Sequence, residues 1–361
     1  MKAIAIIAEY NPFHNGHLYQ IKKIKEKFPD HLIIAIMSGQ FTQRGEPAFV
    51  SKFQRAQMAI AHCDLVVELP QFYALSFADD FAHGGITVAK LLNADILSFG
   101  SEQSNLSQLQ ITAQQINNKT LNRSDAGYAA LMDTNLKSND ILAVQYIRQA
   151  ERIYPEIDML PIERINNDYR DEHLSGTISS ATAIRRAHEE NSTYHHAIPA
   201  TSAEFIANTL NKNRLFLLIK YAVIQKDIDE LKQIYTMYEG LEYRLKKYIH
   251  DAQCYDHYIE LLSTKRYSKA RIRRLLSYVL LNITEMDKHP EINALRILAM
   301  NENGRQYLKA IKQKCSVPVI TNVNRDNHHY FALETKATEI YNLISDCERT
   351  DFNTPVIIKR P

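Results

Sequence analysis

Short apolar runs, each followed by an amphipathic stretch, constrain this chain more than any other feature. Residues 3–8 (Ala-Ile-Ala-Ile-Ile-Ala) and 32–37 (Leu-Ile-Ile-Ala-Ile-Met) are continuously apolar. That is the pattern of strands covered on both faces. Residues 64–69 and 95–99 repeat it in shorter form, and 157–162 more weakly. Between them, residues 18–27, 51–62 and 77–92 place apolar side chains three or four apart, and Ser51 suits the N-cap of the second helix. Strands alternating with helices at a spacing of roughly 30 residues imply right-handed βαβ units and a parallel sheet. Residues 1–190 are therefore expected to form a doubly wound α/β domain.

The second half reads differently. Of ten glycines, eight (Gly16, Gly39, Gly45, Gly84, Gly85, Gly100, Gly127, Gly176) precede residue 180, and only Gly240 and Gly304 follow. Residues 189–199 are polar and read as a linker. From 202 to 344 Leu, Ile and Tyr recur at helix period, with short strands expected at 317–323 and 355–359. A mainly helical second domain, residues 191–361, follows from this. Charge narrows the function: 43 Lys+Arg oppose 41 Asp+Glu, a net +2. Nucleic-acid binding over the whole surface is disfavoured, while a local basic patch is not. Mean hydropathy is −0.32, and every apolar stretch is broken by charge before the ~18 residues a membrane span needs. The start, Met1 through Ala8 and then Glu9, is too short for a signal sequence, so a cytoplasmic location is expected. Cys63, Cys254, Cys315 and Cys347 lie far apart, without zinc or disulfide spacing. No tightly held metal and no obligate protein partner are expected.

The chemistry begins where the first strand ends, at Glu9-Tyr10-Asn11-Pro12-Phe13-His14-Asn15-Gly16-His17. Asn-Pro marks a turn, and His14-Asn15-Gly16-His17 opens a helix. Such a helix start offers free N–H groups and a positive dipole end, a natural phosphate site. Two imidazoles three apart sit on one face and can donate to the same polyphosphate. They also suit two metal ligands, but no third ligand is near. A second phosphate-binding pattern is Ile178-Ser179-Ser180-Ala181-Thr182-Ala183-Ile184-Arg185, a hydroxyl-rich helix start with an arginine one turn in.

These two motifs resemble the signature of the nucleotidylyltransferase superfamily, whose HIGH-type motif is shared with class I aminoacyl-tRNA synthetases. The resemblance makes His14 and His17 the phosphate-contacting histidines. Ile178 to Arg185 is similar to the superfamily's Ile-Ser-Ser-Thr-x-x-Arg motif, with one residue inserted. Aligned on Ile178, Ile-Ser-Ser matches. Aligned on Arg185, Ser180 and Thr182 match instead. More finely, the whole chain resembles the bacterial tRNA(Met) cytidine acetate ligase family. Residues 37–48 (Met-Ser-Gly-Gln-Phe-Thr-Gln-Arg-Gly-Glu-Pro-Ala), 98–102, 138–146, 162–164 and 264–267 carry this likeness. It implies a Rossmann-like domain followed by a largely helical RNA-binding domain. It further implies ATP contacts along Ile7-Ala8-Glu9-Tyr10-Asn11-Pro12-Phe13-His14-Asn15-Gly16-His17-Leu18-Tyr19-Gln20 and at Gly100, Asn139, Arg164, Ser180 and Thr182. At 138–140 Ser138 and Asp140 replace the outer residues of the family's Pro-Asn-Asn. The implied reaction forms acetyl-adenylate from acetate and ATP with Mg²⁺, then acetylates the wobble cytidine of elongator tRNA(Met) to N4-acetylcytidine. His14, His17 and Arg185 would serve catalysis.

Three further readings follow from the residues. The segment 39–47 holds Gln40, Thr42, Gln43, Arg44 and Glu46 after strand two, at the edge where open α/β sheets bind ligands. Glu9 and Asp95 are candidates to assist through Mg²⁺, or else are plain strand-end carboxylates. Between 261 and 284 all charged residues are basic: Lys265, Arg266, Lys269, Arg271, Arg273 and Arg274. They are expected to contact the tRNA backbone from a helix capped by Ser268, with Tyr267 and Tyr278 as stacking partners, the alternative being a solvated helix face. Reversing Arg273 and Arg274 is then expected to weaken tRNA binding and spare adenylation. Alternatives for the whole chain are an adenylyltransferase acting on a phosphorylated metabolite and a non-catalytic RNA-binding protein.

Overall fold

A computed structural model describes residues 1–102, 104–118, 136–165, 177–206 and 210–360; Gly127 and Gly176 lie outside them. All five strands expected in the first half form: β1 (Ala3–Ala8), β2 (Leu32–Ser38), β3 (Leu65–Leu69), β4 (Ile96–Ser101) and β5 (Asp158–Glu163). They pair parallel in the order β5-β4-β1-β2-β3, with Ile4 opposite both Ile33 and Ile96. The order reverses between β1 and β4, where doubly wound sheets open a crevice for ligands. Successive residues explain the two-faced burial. Ala3, Ala5 and Ile7 of β1 join one core and Ile4 and Ile6 the other, as the pleat requires.

The helices of this half are α1 (Asn15–Lys27), α2 (Lys52–Ile60), α3 (Gln71–Ala74), α4 (Ala78–Leu91), α5 (Leu106–Asn118), α6 (Ser138–Ile153) and α7 (Ala181–Glu189). Ser51 caps α2 as expected, accepting from Gln54 N–H at 3.3 Å while the Gln54 amide accepts from Ser51 N–H. The polar stretch after α7 is no free linker. Tyr194, Ala197 and Ile198 are buried in the core beneath β1 and β2.

Helices dominate the rest: α8 (Ala200–Ala203), α9 (Lys212–Gln225), α10 (Ile228–Lys232), α11 (Leu241–Tyr248), α12 (Tyr255–Leu262), α13 (Lys269–Leu281), α14 (Glu302–Ile311) and α15 (Ala332–Ile344). A strand the sequence pattern did not reveal, β6 (Leu295–Met300), pairs antiparallel with β3. The short β7 (Val319–Ile320) and β8 (Ile357–Ile358), both foreseen, pair parallel with β6. The sheet and its core therefore run across residue 190. Ile219, Leu245, Tyr258 and Leu276 share one apolar cluster with Ala5, Ile34 and Val67.

Arg296 explains why β6 escaped notice. It interrupts the apolar run, yet only 2 % of it is exposed, since it belongs to a buried ionic cluster. Lys52 Nζ lies 2.8 Å from both Glu68 and Asp351, and Asp351 also accepts from Thr338 at 2.7 Å. These groups tie α2 and β3 to the chain's end. Among the described residues no helix is long and apolar enough to cross a membrane.

Candidate functional site

β1 ends in a turn that drives the two histidines into the crevice. Tyr10 adopts a left-handed φ of 48°, Asn11 Oδ1 accepts from Phe49 N–H at 2.7 Å, and α1 begins at Asn15. His14 is its N-cap. Nδ1 of His14 accepts from Gly16 N–H at 3.0 Å, and Nδ1 of His17 accepts from His14 N–H at 3.2 Å. This reciprocal capping box is built from imidazoles rather than hydroxyl and carboxylate. It has a chemical consequence: with both Nδ1 atoms accepting, each ring carries its proton on Nε2. The rings stack at 3.8 Å between centroids. Burial, helped by the cations of Arg164 and Arg185, holds His14 down to about 3. Burial and its neighbour lower His17 well below the usual imidazole range. Both are neutral N–H donors at pH 7.

His14 and His17 line a cleft with Gly16, Tyr19, Gln20, Gly100, Arg164, Ile178, Ser179 and Ser180. Its walls are the ends of β4 and β5 and the starts of α1 and α7, so two helix N-termini converge on one space. Ser180 caps α7, accepting from Ala183 N–H at 3.1 Å. Ser179 Oγ is buried without a partner, a polar atom left for a ligand. Asn15 ties the two helix starts together, donating to Thr177 O at 2.8 Å and His196 O at 2.9 Å.

Other expected residues stand around this cleft in different roles. Ile7, Tyr10 and Phe13 are packed in the cores. Tyr10 and Phe13 back the His17 ring, at 4.8 and 5.5 Å between centroids, so their side chains position the site. Asn139, in the first turn of α6, donates to Glu102 Oε1, and Arg164 Nε lies 4.0 Å from the same oxygen. Asp140, the departure from the family pattern, accepts from Ser101 Oγ at 2.6 Å and Glu102 N–H at 2.9 Å and so fixes the end of β4. Arg185 donates to Asn11 O at 2.7 Å and to Thr182 Oγ1 at 3.3 Å, beside the cleft walls. Asp95 is ruled out as a helper. It accepts from Ala3 N–H at 2.7 Å, at the opposite edge of the sheet.

The basic helix is the main correction. Five of the six cations have partners. Arg266 pairs with Glu239, Lys269 lies 3.3 Å from Glu260, and Arg273 lies 2.9 Å from Glu46. Arg271 is buried over the Tyr267 ring at 4.9 Å. Arg274 sits 4.1 Å above the Phe77 ring and donates to Gln43 O at 3.0 Å. Tyr267 and Tyr278 are buried and offer no stacking face. Lys265, Arg266 and Lys269 are exposed, while Arg273 and Arg274 are half-buried. The helix is amphipathic with two inward sides, one on the helical core and one on residues 39–47; an apolar stripe alone does not reveal the second.

Sequence reasoning missed Arg55, which is fully buried. Its guanidinium donates to Val50 O at 3.0 Å, Glu9 O at 2.8 Å, Ser38 O at 2.9 Å and Gly39 O. It pins the ends of β1 and β2 together, and nothing in the local sequence distinguishes it from a surface arginine.

A doubly wound sheet carrying a histidine-capped helix start at its switch point defines a nucleotidyl transferase of the HIGH type. The family model described as HIGH Nucleotidyl Transferase matches residues 1–354. A protein of Staphylococcus carnosus named tRNA(Met) cytidine acetate ligase is 41% identical over 375 residues, covering 99% of this chain and 98% of its own. A Staphylococcus aureus protein of the same name is 40% identical over 99% of both chains. The crystal structure of Thermotoga maritima TmcAL bound with alpha-thio ATP superposes with a TM-score of 0.86 at 27% identity, covering all of both chains. Its apo form gives 0.88 at 28%. The chain belongs to the tRNA(Met) cytidine acetate ligase family.

Proposed function

We propose that this protein joins acetate to ATP as acetyl-adenylate and passes the acetyl group to the wobble cytidine of elongator tRNA(Met), giving N4-acetylcytidine. The observation that carries the chemistry is the pair of neutral Nε2–H imidazoles at the start of α1. An acetate oxygen attacks the α-phosphorus, the bond to the bridging oxygen breaks, and pyrophosphate leaves with the electron pair. His14 and His17 donate hydrogen bonds to the phosphate oxygens as charge builds, and the Arg185 guanidinium adds a fixed positive charge. Neutral imidazoles keep these donors in place without a proton transfer. In the second step the exocyclic amine of the cytidine attacks the acyl carbon, AMP departs with the electron pair, and the amine loses a proton. No covalent nucleophile from the protein is needed.

Mg²⁺ fits as a cation carried on the triphosphate. Among the described residues no group of three or more His, Cys, Asp or Glu side chains is placed to hold a metal ion. Magnesium in phosphoryl-transfer sites uses few protein carboxylates. Glu102 Oε2, buried without a partner just past Gly100, is the donor we assign to it. When bound, the ion neutralises charge on the departing pyrophosphate. Glu9 is occupied on one side, its Oε1 accepting from Gln43 N–H at 2.8 Å.

The named relatives support acetate and tRNA(Met); a cytoplasmic place of action, and RNA contacts from residues 191–361, are part of the same proposal. The test is ATP–pyrophosphate exchange with a panel of small carboxylates, with and without tRNA. Acetate-dependent exchange followed by acetylation of tRNA(Met) is expected. Exchange driven instead by a phosphorylated metabolite would overturn the assignment.

A further inference from the structure

Two guanidiniums from distant parts of the chain meet at Thr182. Its hydroxyl accepts from Arg44 Nη1 at 3.1 Å and from Arg185 Nη2 at 3.3 Å. Arg185 belongs to α7, and Arg44 to the loop after β2. The charge of Arg44 also reaches Arg164 at the end of β5, and it lowers both other arginines in addition to the effect of burial. Three cations are thus gathered about the starts of α1 and α7, partly balanced by Glu102 beside Arg164 and by Glu46, Glu9 and Glu189 around Arg185. Bringing like charges together in a partly desolvated place costs free energy, and a ligand carrying several negative charges offsets that cost.

The loop is anchored on both sides of Arg44. Before it, Gln43 N–H donates to Glu9 Oε1 at 2.8 Å and Gln43 O accepts from Arg274 at 3.0 Å. After it, Gly45 O accepts from Ser277 Oγ at 2.9 Å, and Glu46 meets Arg273 at 2.9 Å. Gly45 has φ +85°, and a Cβ there would lie 2.2 Å from the backbone N of Arg274. Only glycine lets the loop lie on α13 this closely. A charged side chain whose neighbours are held this way loses little freedom when it binds.

We propose that Arg44 binds the pyrophosphate portion of the nucleotide, acting with Arg185 across Thr182. The inference rests on ATP being the substrate, as set out above. It also gives the inward face of α13 a purpose: Arg273, Arg274 and Ser277 hold the loop that presents Arg44. The contact is electrostatic, strengthening as the bridging oxygen takes up charge, and no proton changes hands.

The experiment measures binding of ATP, AMP and inorganic pyrophosphate by calorimetry, with Mg²⁺, for the full chain and for Arg44→Gln and Arg44→Lys. Arg44→Gln should weaken ATP and pyrophosphate by roughly 10- to 100-fold, the range of a charged hydrogen bond, and leave AMP unchanged. Arg44→Lys should recover part of the loss, since a lysine keeps the charge but not the fork. Unchanged AMP binding also shows that the variant folds. Equal weakening of all three ligands would mean that Arg44 only braces α7, and unchanged binding of all three that it faces something else; either overturns the proposal. So does a raised KM for acetate in exchange with ATP affinity intact. Failure of the wild-type protein to bind ATP would instead refute the underlying function.

Discussion

Replacing His17 with asparagine separates two jobs that one ring performs. Nδ1 accepts from His14 N–H at 3.2 Å in the capping box, and Nε2–H is left as a donor on a residue lining the cleft. Asparagine places its Oδ1 close to the Nδ1 position and keeps the cap, but has no donor where Nε2 stood. Glutamine reverses this, reaching the Nε2 position with its amide and abandoning the cap. His17→Asn should therefore fold with stability within about 0.5 kcal/mol of wild type. Losing one preorganised donor to a developing charge costs about 3 kcal/mol, so exchange should fall by roughly 10² to 10³. ATP affinity should fall much less, because the contact strengthens in the transition state. His17→Gln should lose about 1 kcal/mol of stability with the cap yet exchange roughly tenfold faster than the asparagine variant. The assays are urea unfolding and acetate-dependent ATP–pyrophosphate exchange. A stable His17→Asn protein exchanging at the wild-type rate would remove His17 from the chemistry, and the tautomer argument with it.

Burial and neighbouring cations hold His14 at about 3, so ¹⁵N spectra should show Nε2–H imidazoles at residues 14 and 17 from pH 8 to pH 5; a titration near 6.5 at either would contradict the site's electrostatics. The folded pKa lies below the unfolded one, so the unfolded chain takes up protons first as pH falls. The His14 contribution to stability is then full above about 6.5 and declines from there toward 3, which urea midpoints across that range will show. Lys52→Met leaves Glu68 and Asp351 buried with only the more distant Arg296 as a cation and should cost about 3–5 kcal/mol in urea unfolding; a loss under 1 kcal/mol would show that the cluster relaxes. Charge reversal at Arg273 and Arg274 should lower ATP–pyrophosphate exchange at least tenfold, since both residues hold the loop at 39–47. Unaltered exchange would restore the simpler division into a catalytic half and an RNA-binding half.

The parallel core was legible because its strands are covered on both faces. Such strands must be apolar at every position, and a continuous run of Ile, Leu, Val and Ala has few other uses. The motif at 11–17 was legible for a related reason: it follows β1 directly, and a helix start there has free N–H groups whatever the rest of the chain does. Those features are local and can be read from neighbouring residues alone. What Arg273 and Arg274 face was not local. A guanidinium reads the same whether it meets solvent, the Glu46 carboxylate or the Gln43 carbonyl, and those partners lie more than two hundred residues away. β6 was hidden in the same way, because Arg296 looks incompatible with a buried strand until Asp351 and Glu68 are brought beside it. Where each of these charges finds its counterpart depends on the folded arrangement of distant segments. Apolar burial depends on residue type and spacing along the chain, whereas charge satisfaction depends on which distant atoms come within a few ångströms.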